Sequence, residues 1–361
     1  MGVLADQVAV LETKVATLES QMAAVQGQVA NLENIHGKGG WHDQQVRKGI
    51  HRRPSDLLVY YGWPSGFNSA VNQWNLDKVA QDMAKYGLVV LGAGLEDSGH
   101  GDHSNTVQVI TKVKALNPTA LIFGYVSTNQ DLSVFQSKAN LWNDMGVHGI
   151  FMDESGYDYG KTRGDFNDRV DHVHGLSSAK IAFANAWNTD HVLGTADDPS
   201  FPNSTFNASS TESLLGPQDW VMLESFGVNT SSYGNLIEPK AQWAARGCKM
   251  LGLRATYNVN FAGVGVIQNG HASASSLFAF GVTSALMWSL EAFGTSDASY
   301  ASGSAAVDFH ARPAVAEINP VWSLNPSVQA DATNGDRYFR YVEKGRMMVN
   351  FADGSSEIVC W

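Results

Sequence analysis

Apolar residues open the chain at Leu4, Val8, Leu11, Val15, Leu18, Met22, Val25, Val29 and Leu32, spaced alternately four and three apart. A strict 3.5-residue period holds one narrow seam toward a partner and drives left-handed supercoiling. The pattern predicts an α-helical coiled coil over 1–35 that joins copies of the chain. A helix lying on its own domain would carry a wider apolar stripe. Val8, Val15 and Val29 at a with Leu4, Leu11, Leu18 and Leu32 at d lean toward a homodimer, and the Gln- and Ala-rich flanks leave a homotrimer open. Periodicity stops over 36–56, where Gly37, Gly39 and Gly40 precede a basic cluster of Arg47, Lys48, His51, Arg52 and Arg53. This stretch reads as a neck, and a basic run of this kind is usually solvated.

From 57 to 300 the rhythm changes. Short apolar runs recur at 57–63, 88–94, 120–126, 149–154, 180–185, 219–224, 249–254 and 285–290. Each reads as a strand buried on both faces. Helical patterns alternate with them, at 74–87, 104–118, 135–146, 238–247 and 272–284, several closed by glycine or proline. Eight strands alternating with helices predict an α/β fold, the eight-fold (β/α)8 or TIM barrel. A doubly wound open sheet is the alternative, but its GxGxxG fingerprint is missing, because Gly92-Ala93-Gly94 runs on into Leu95-Glu96-Asp97. Over 301–361 helix signals fade. Residues 337–361 read as three strands joined by a Lys-Gly and an Asp-Gly turn, a small antiparallel β-domain serving as support.

Composition narrows the function. The net charge of −11 argues against nucleic acid as a partner, since such proteins need a basic face. Two cysteines, Cys248 and Cys360, make no disulfide framework and no metal-ligand spacing. No apolar run approaches the about 18 residues of a membrane span, and the N-terminus lacks a secretory signal pattern. Sixteen Phe, ten Trp and eleven Tyr suit a large core or a sugar-binding cleft.

In a barrel the chemistry lies at the C-terminal ends of the strands. The residues expected there are rich in carboxylates and aromatics and poor in lysine: Tyr61 and Trp63 after the first run, Tyr125 after the third, Asp153 and Glu154 after the fourth, Asn185 and Trp187 after the fifth, Glu224 after the sixth, Arg254 after the seventh and Glu291 after the eighth. Phosphate chemistry would prefer cationic clamps. Carboxylates beside flat aromatics suit a carbohydrate, and glycoside cleavage needs two carboxyl groups of different acidity. Asp153 and Glu224 are the expected catalytic pair, because each ends a buried apolar run where an acid is costly unless paired or functional. Asn185 and Glu154 would bind substrate hydroxyls, and Tyr61, Trp63, Tyr125 and Trp187 would stack on sugar rings. Arg254 and Glu291 are expected either to bind substrate or to pair with each other across two strands. The run Glu96, Asp97, His100, Asp102 and His103 holds metal-ligand types but crowds them into one loop, so a polar substrate-facing loop is expected, with no metal and no cofactor.

The segment Gly146-Val147-His148-Gly149-Ile150-Phe151-Met152-Asp153-Glu154 resembles the G-(V/F)-D-G-I-F-x-D-E motif of spherulin-4-like and endo-α-1,4-polygalactosaminidase-like glycosidases, with His148 where the family often has Asp. The opening Tyr60-Tyr61-Gly62-Trp63 and the closing 341–350 are similar to glycosyl hydrolases of the same barrel type. The resemblance covers about 57–355. It implies a TIM-barrel glycosidase acting on a polysaccharide, galactosamine-containing polymers among the candidates, with Asp153 and Glu224 as the catalytic pair. A helical stem, a neck and a glycosidase-like barrel together resemble a phage tail fibre or tailspike. That resemblance implies location on a virion tail or outside the cell, other tail proteins as possible neighbours, and several weak sugar sites linked on one stem. Two alternatives stay open at this point: a non-catalytic carbohydrate-binding fibre protein, and a metal-dependent deacetylase.

Overall fold

The computed structural model describes residues 14–15, 50–51, 54–176, 180–198, 200–201, 205–268, 270–297, 321–322, 328–342 and 345–360. The chain divides into two compact units, Met1–Ile50 and His51–Trp361. In the first, Lys14 and Val15 are helical and exposed. The expected coiled coil, its oligomeric state and most of the expected neck lie outside the described residues.

The second unit holds a closed barrel of eight parallel strands. They are β1 (Ser55–Tyr60), β2 (Leu88–Leu91), β3 (Leu121–Ser127), β4 (Gly149–Asp153), β5 (Ile181–Asn185), β6 (Trp220–Asn229), β7 (Asn260–Val266) and β8 (Ala292–Ser296). Consecutive strands pair in order, and β8 returns to β1 at Ala292 opposite Ser55. Between them run α1 (Leu76–Met83), α2 (His103–Leu116), α3 (Leu132–Asp144), α4 (Arg163–Leu176), the single turn α5 (Asp190–Leu193), α6 (Lys240–Tyr257) and α7 (Ala274–Met287). Asn75 starts α1 as a capping residue, its side-chain oxygen accepting from the amides of Asp77 and Lys78 at 3.0 and 3.2 Å.

Alternation along each strand separates two cores. Leu57, Val59, Leu88, Val90, Phe123, Tyr125, Phe151, Phe183, Trp220 and Met222 pack together inside the barrel. Their neighbours Leu58, Val89, Ile122, Ile150, Met152, Ala182, Val221 and Leu223 join the shell that meets the helices. The interior is paved with rings: Phe183 lies 5.1 Å from both Phe123 and Phe151 and 6.0 Å from Trp220, centroid to centroid.

Two expected strands are helix instead. Residues 249–254 are the last turns of α6, and 285–290 hold the end of α7 and the turn after it. The true seventh and eighth strands are the glycine-bearing segments Asn260–Val266 and Ala292–Ser296. Beyond the barrel, β9 (Gln329–Ala330), β10 (Arg337–Val342), β11 (Gly345–Asn350) and β12 (Ser355–Cys360) form an antiparallel sheet in that order. It belongs to the same compact unit as the barrel and packs on α7, with Phe351 against Phe280 at 5.3 Å and Trp243 of α6 at 5.1 Å. Arg340, buried in this sheet, donates to the Met287 carbonyl at the end of α7 and to Ser289 Oγ.

One histidine at the N-terminal end of the barrel makes stability depend on pH. His148 Nδ1 accepts the Ile122 amide at 3.0 Å, which requires the neutral ring. Burial, then Lys114 and Lys180, lower its pKa from 6.5 to about 4. Between those values the unfolded chain binds the proton and the folded chain does not, so this contribution is complete above about 6.5 and is lost as pH falls toward 4. Its size, discounted for partial exposure, is on the order of 1–2 kcal/mol. Urea midpoints should fall from pH 7 to pH 4.5 in the native chain, and His148→Gln should flatten that slope. An equal slope in both proteins would remove His148 as its source.

Candidate active site

The inward rows of three strands each end in a polar residue. On β4 the row Gly149, Phe151 reaches Asp153, on β5 Ile181, Phe183 reaches Asn185, and on β6 Trp220, Met222 reaches Glu224. Register brings these rims together, because Met152 pairs with Ala184 and Asn185 with Met222. The aromatic floor of the barrel lies immediately beneath.

Asn185 joins the two acids. Its Nδ2 donates to Asp153 Oδ1 at 2.7 Å and to Glu224 Oε1 at 2.6 Å. Asn185 is buried, so it acts on the carboxylates more than on solvent. Asp153 Oδ1 also accepts the backbone amide of Glu154 at 2.9 Å. Burial, chiefly, pushes the Glu224 carboxyl above the usual carboxylate range. The negative charges of Asp153 and Asp158 push the same way, while Asn185 and Arg246 oppose them. The site therefore holds one acid biased toward its protonated form beside a second carboxylate.

Both acids are followed by non-glycine residues in the left-handed region: Glu154 at φ 57° after Asp153, and Ser225 at φ 51° after Glu224 within β6. Such backbone costs about 1–3 kcal/mol per residue and persists only where its surroundings hold it. Around Glu154 the hold is Thr128, whose hydroxyl donates to the carbonyls of Asp153 and Glu154 at 2.9 and 2.6 Å. Ser127 Oγ donates to Glu154 Oε2. After Glu224, β6 loses register with β7 until Asn229.

Of the expected aromatics, Trp63 and Trp187 are exposed, at 40% and 57%, and Tyr61 is half-buried with its ring edge-on to Tyr125 at 5.6 Å. Tyr125 corrects the expectation of a stacking platform: it is buried and packs in the barrel interior. Arg254 and Glu291 pair with each other, one of the two expectations for them, while the substrate-binding alternative and their placement across two strands are corrected. Once 249–254 is helix, Arg254 rides on α6, and Glu291 precedes β8, at the opposite end of the barrel from Asp153. There Arg254 Nη2 donates to Glu291 Oε2 at 2.8 Å, Phe261 N donates to the same oxygen at 2.8 Å, and Ser55 N donates to the Glu291 carbonyl at 2.9 Å. The pair closes the base of the barrel and does not face the rim. Asp102, from the acidic loop after β2, is buried and accepts the Ser65 amide at 3.0 Å. Among the described residues no group of three His, Cys, Asp or Glu could hold a metal ion.

Three residues at this site carry no strand-end signal in the sequence. Tyr159, in the turn after β4, is 44% exposed. Burial first, then the charges of Glu154, Asp153, Asp158 and Glu224, raise its pKa, so it stays a neutral phenol facing the acids. Arg246 of α6 donates to the Glu224 carbonyl at 2.7 Å and to Glu238 at 2.8 Å. Glu238 itself is fully buried.

No protein-family model matches the chain, and no curated protein matches it. Solved structures do. The glycoside hydrolase domain of PelA from Pseudomonas aeruginosa is 13% identical over 67% of this chain and 95% of its own, with a TM-score of 0.41. A GH18 chitinase from Pseudoalteromonas aurantia is 12% identical over 67% of this chain and 93% of its own, with a TM-score of 0.41. The carboxyl transferase domain of Rhizobium etli pyruvate carboxylase is 10% identical over 74% of this chain and 43% of that one, with a TM-score of 0.42.

Proposed function

We propose that the barrel is an endo-acting glycoside hydrolase using Asp153 and Glu224. The observation that carries this reading is the single amide nitrogen of Asn185 bonded to both acids. Two oxygens held by one nitrogen lie no farther apart than the two bond lengths together, and this upper bound of about 5.3 Å on the nearest oxygens favours the close carboxyl pair of retaining glycosidases over the wider spacing of inverting ones. Glu224, the acid favoured in its protonated form, gives its proton to the leaving glycosidic oxygen. Asp153 attacks the anomeric carbon and forms a glycosyl ester. Glu224, now ionised, takes a proton from the water that releases the sugar. Trp63, Trp187 and Tyr61 supply flat surfaces for the pyranose rings and Glu154 a polar contact, while Asn185 holds the two acids in place.

The resemblance of 146–154 to spherulin-4-like glycosidases supports a polysaccharide substrate. The heptads over 1–35 support a stem that joins two or three copies, as on a phage tail fibre acting on a host surface glycan. Purified protein incubated with bacterial capsular and exopolysaccharides should release new reducing ends, with oligosaccharide products by mass spectrometry. Proton NMR should find the first-formed anomer with the configuration of the bond cleaved. Polymers bound but never shortened would replace the enzyme with a binding protein, and an inverted first product would remove Asp153 as nucleophile.

A further inference from the structure

Glu238 is separated by the β6 bulge from the acid it affects. Its Oε2 accepts the amide of Gly227, a residue at φ 75°, at 2.9 Å, and its Oε1 accepts Arg246 Nη1 at 2.8 Å. Arg246 Nη2 turns back to the Glu224 carbonyl at 2.7 Å. One ion pair, its glutamate fully buried and its arginine partly so, thus grips both sides of the irregular stretch, from Glu224 through Ser225 to Gly227, that sets the direction of the Glu224 side chain. The same guanidinium lies 5.7 Å from the ring of Phe226 and 5.9 Å from that of Trp187, within the about 6 Å reach of a cation–π contact. Trp187 is the most exposed aromatic at the rim beyond β5, two residues past Asn185.

We infer that Arg246 is a positioning residue that couples the acid Glu224 to a pyranose-binding platform on Trp187. The planar fork is what the role requires: one donor reaches Glu238, a second reaches the Glu224 carbonyl, and the flat face meets the indole. A lysine has the charge but not this geometry. The inference rests on reading Asp153 and Glu224 as the acting pair. The groups facing Glu224 are Asn185 from β5, Asp153 from β4, Asp158 and Tyr159 from the turn after β4, and Arg246 from α6. Arg246 is the cation among them, and removing it withdraws a charge that favours the carboxylate.

The test compares Arg246→Met, Arg246→Lys, Glu238→Gln and Trp187→Ala with the native chain. Carbon-13 NMR of the Glu224 carboxyl, assigned with Glu224→Gln, follows its titration without any need for turnover. Arg246→Met should raise that pKa by about half a unit or more, and Arg246→Lys should restore it. On a cleaved glycan, Arg246→Met should lower kcat at least about tenfold and raise KM, moving the alkaline limb of the pH profile upward, whereas Trp187→Ala should raise KM with that limb unmoved. Arg246→Lys should recover the limb but not kcat, and Glu238→Gln should lower kcat in between. The inference is overturned if the Glu224 titration is unchanged in Arg246→Met and kcat/KM stays within about twofold. Should that variant not fold, a kcat/KM within about twofold of the native chain in both Arg246→Lys and Glu238→Gln overturns it equally. A native chain that cleaves no glycan sinks the proposed activity alone, since the carboxyl titration still decides whether Arg246 acts on Glu224.

Discussion

Replacing Glu224 with Gln should lower the rate of glycan cleavage by about a hundred- to ten-thousandfold and yet make the protein more stable at neutral pH. The two effects share one cause. Burial and the neighbouring acids raise the Glu224 pKa above its value in the unfolded chain. A raised pKa stabilises the fold at pH values below the unfolded pKa, and that contribution is lost as pH rises through the folded value. At pH 7 the ionised carboxylate is therefore a burden on the fold. Gln keeps the shape and an oxygen for the Asn185 amide, but carries no charge and no proton to give. A gain of up to about 1 kcal/mol, or about 2–4 °C in melting temperature, is expected at pH 7, shrinking as the pH approaches 4. Asp153→Asn should lose activity as severely. Calorimetry at the two pH values, beside reducing-end release, checks both halves. A Glu224→Gln protein that melts below the native chain at pH 7, or that keeps its activity, contradicts the assignment. On the proposed mechanism the alkaline limb of kcat/KM of the native chain should lie above the ordinary glutamate range, with activity falling as Glu224 ionises.

Gly124→Ala should be among the most damaging single methyl additions in the barrel. Gly124 sits mid-β3, and a Cβ there would lie 2.1, 2.3 and 2.6 Å from Cδ2, Cγ and Cε2 of Trp142. Trp142 cannot step aside, because it is fully buried on α3 and its indole N–H donates to the Tyr125 carbonyl at 3.0 Å. Moving it strains a packed interface and strips the buried indole N–H of its acceptor, at a combined cost of about 3 kcal/mol or more. A control separates this from a general effect of glycine replacement. Gly175 on α4 has open space where a Cβ would go, and Gly175→Ala should stabilise by about 0.5–1 kcal/mol. Urea unfolding of both variants reads the contrast. A Gly124→Ala protein as stable as the native chain would mean that α3 is not seated as described.

Strands β1 to β6 were legible because each is a short apolar run ending at a glycine or a polar residue. Their polar ends, Asp153, Asn185 and Glu224, were legible for the same reason. Strands β7 and β8 were not. Gly263, Gly265 and Gly294 dilute their β-branched character, yet the fold needs those glycines: a Cβ on Gly265 would lie 2.4 Å from Val228, and one on Gly294 would lie 2.0 Å from the Leu57 carbonyl. The runs chosen in their place belong to helices. Helix α7 is apolar nearly all round, buried from Leu277 to Met287 apart from Ala279, and over six residues such a helix looks the same as a buried strand. That displacement carried Arg254 and Glu291 to the wrong end of the barrel. Arg246, Glu238 and Tyr159 were hidden for a different reason. They reach the site from a helix, a loop and a turn, where a charged or aromatic residue is ordinary and only the folded geometry singles it out.

The closure at Glu291 has a consequence for biosynthesis. The first barrel strand to leave the ribosome, Ser55–Tyr60, has one permanent neighbour in β2 and another in β8, and its amide at Ser55 finds its acceptor only when Glu291 arrives. Until then the nascent chain is a curved open sheet with an exposed apolar edge, a template for pairing with other nascent chains. Translation speed and chaperone capture before residue 291 is made should therefore govern the yield of soluble protein more than the strength of any contact in the finished molecule.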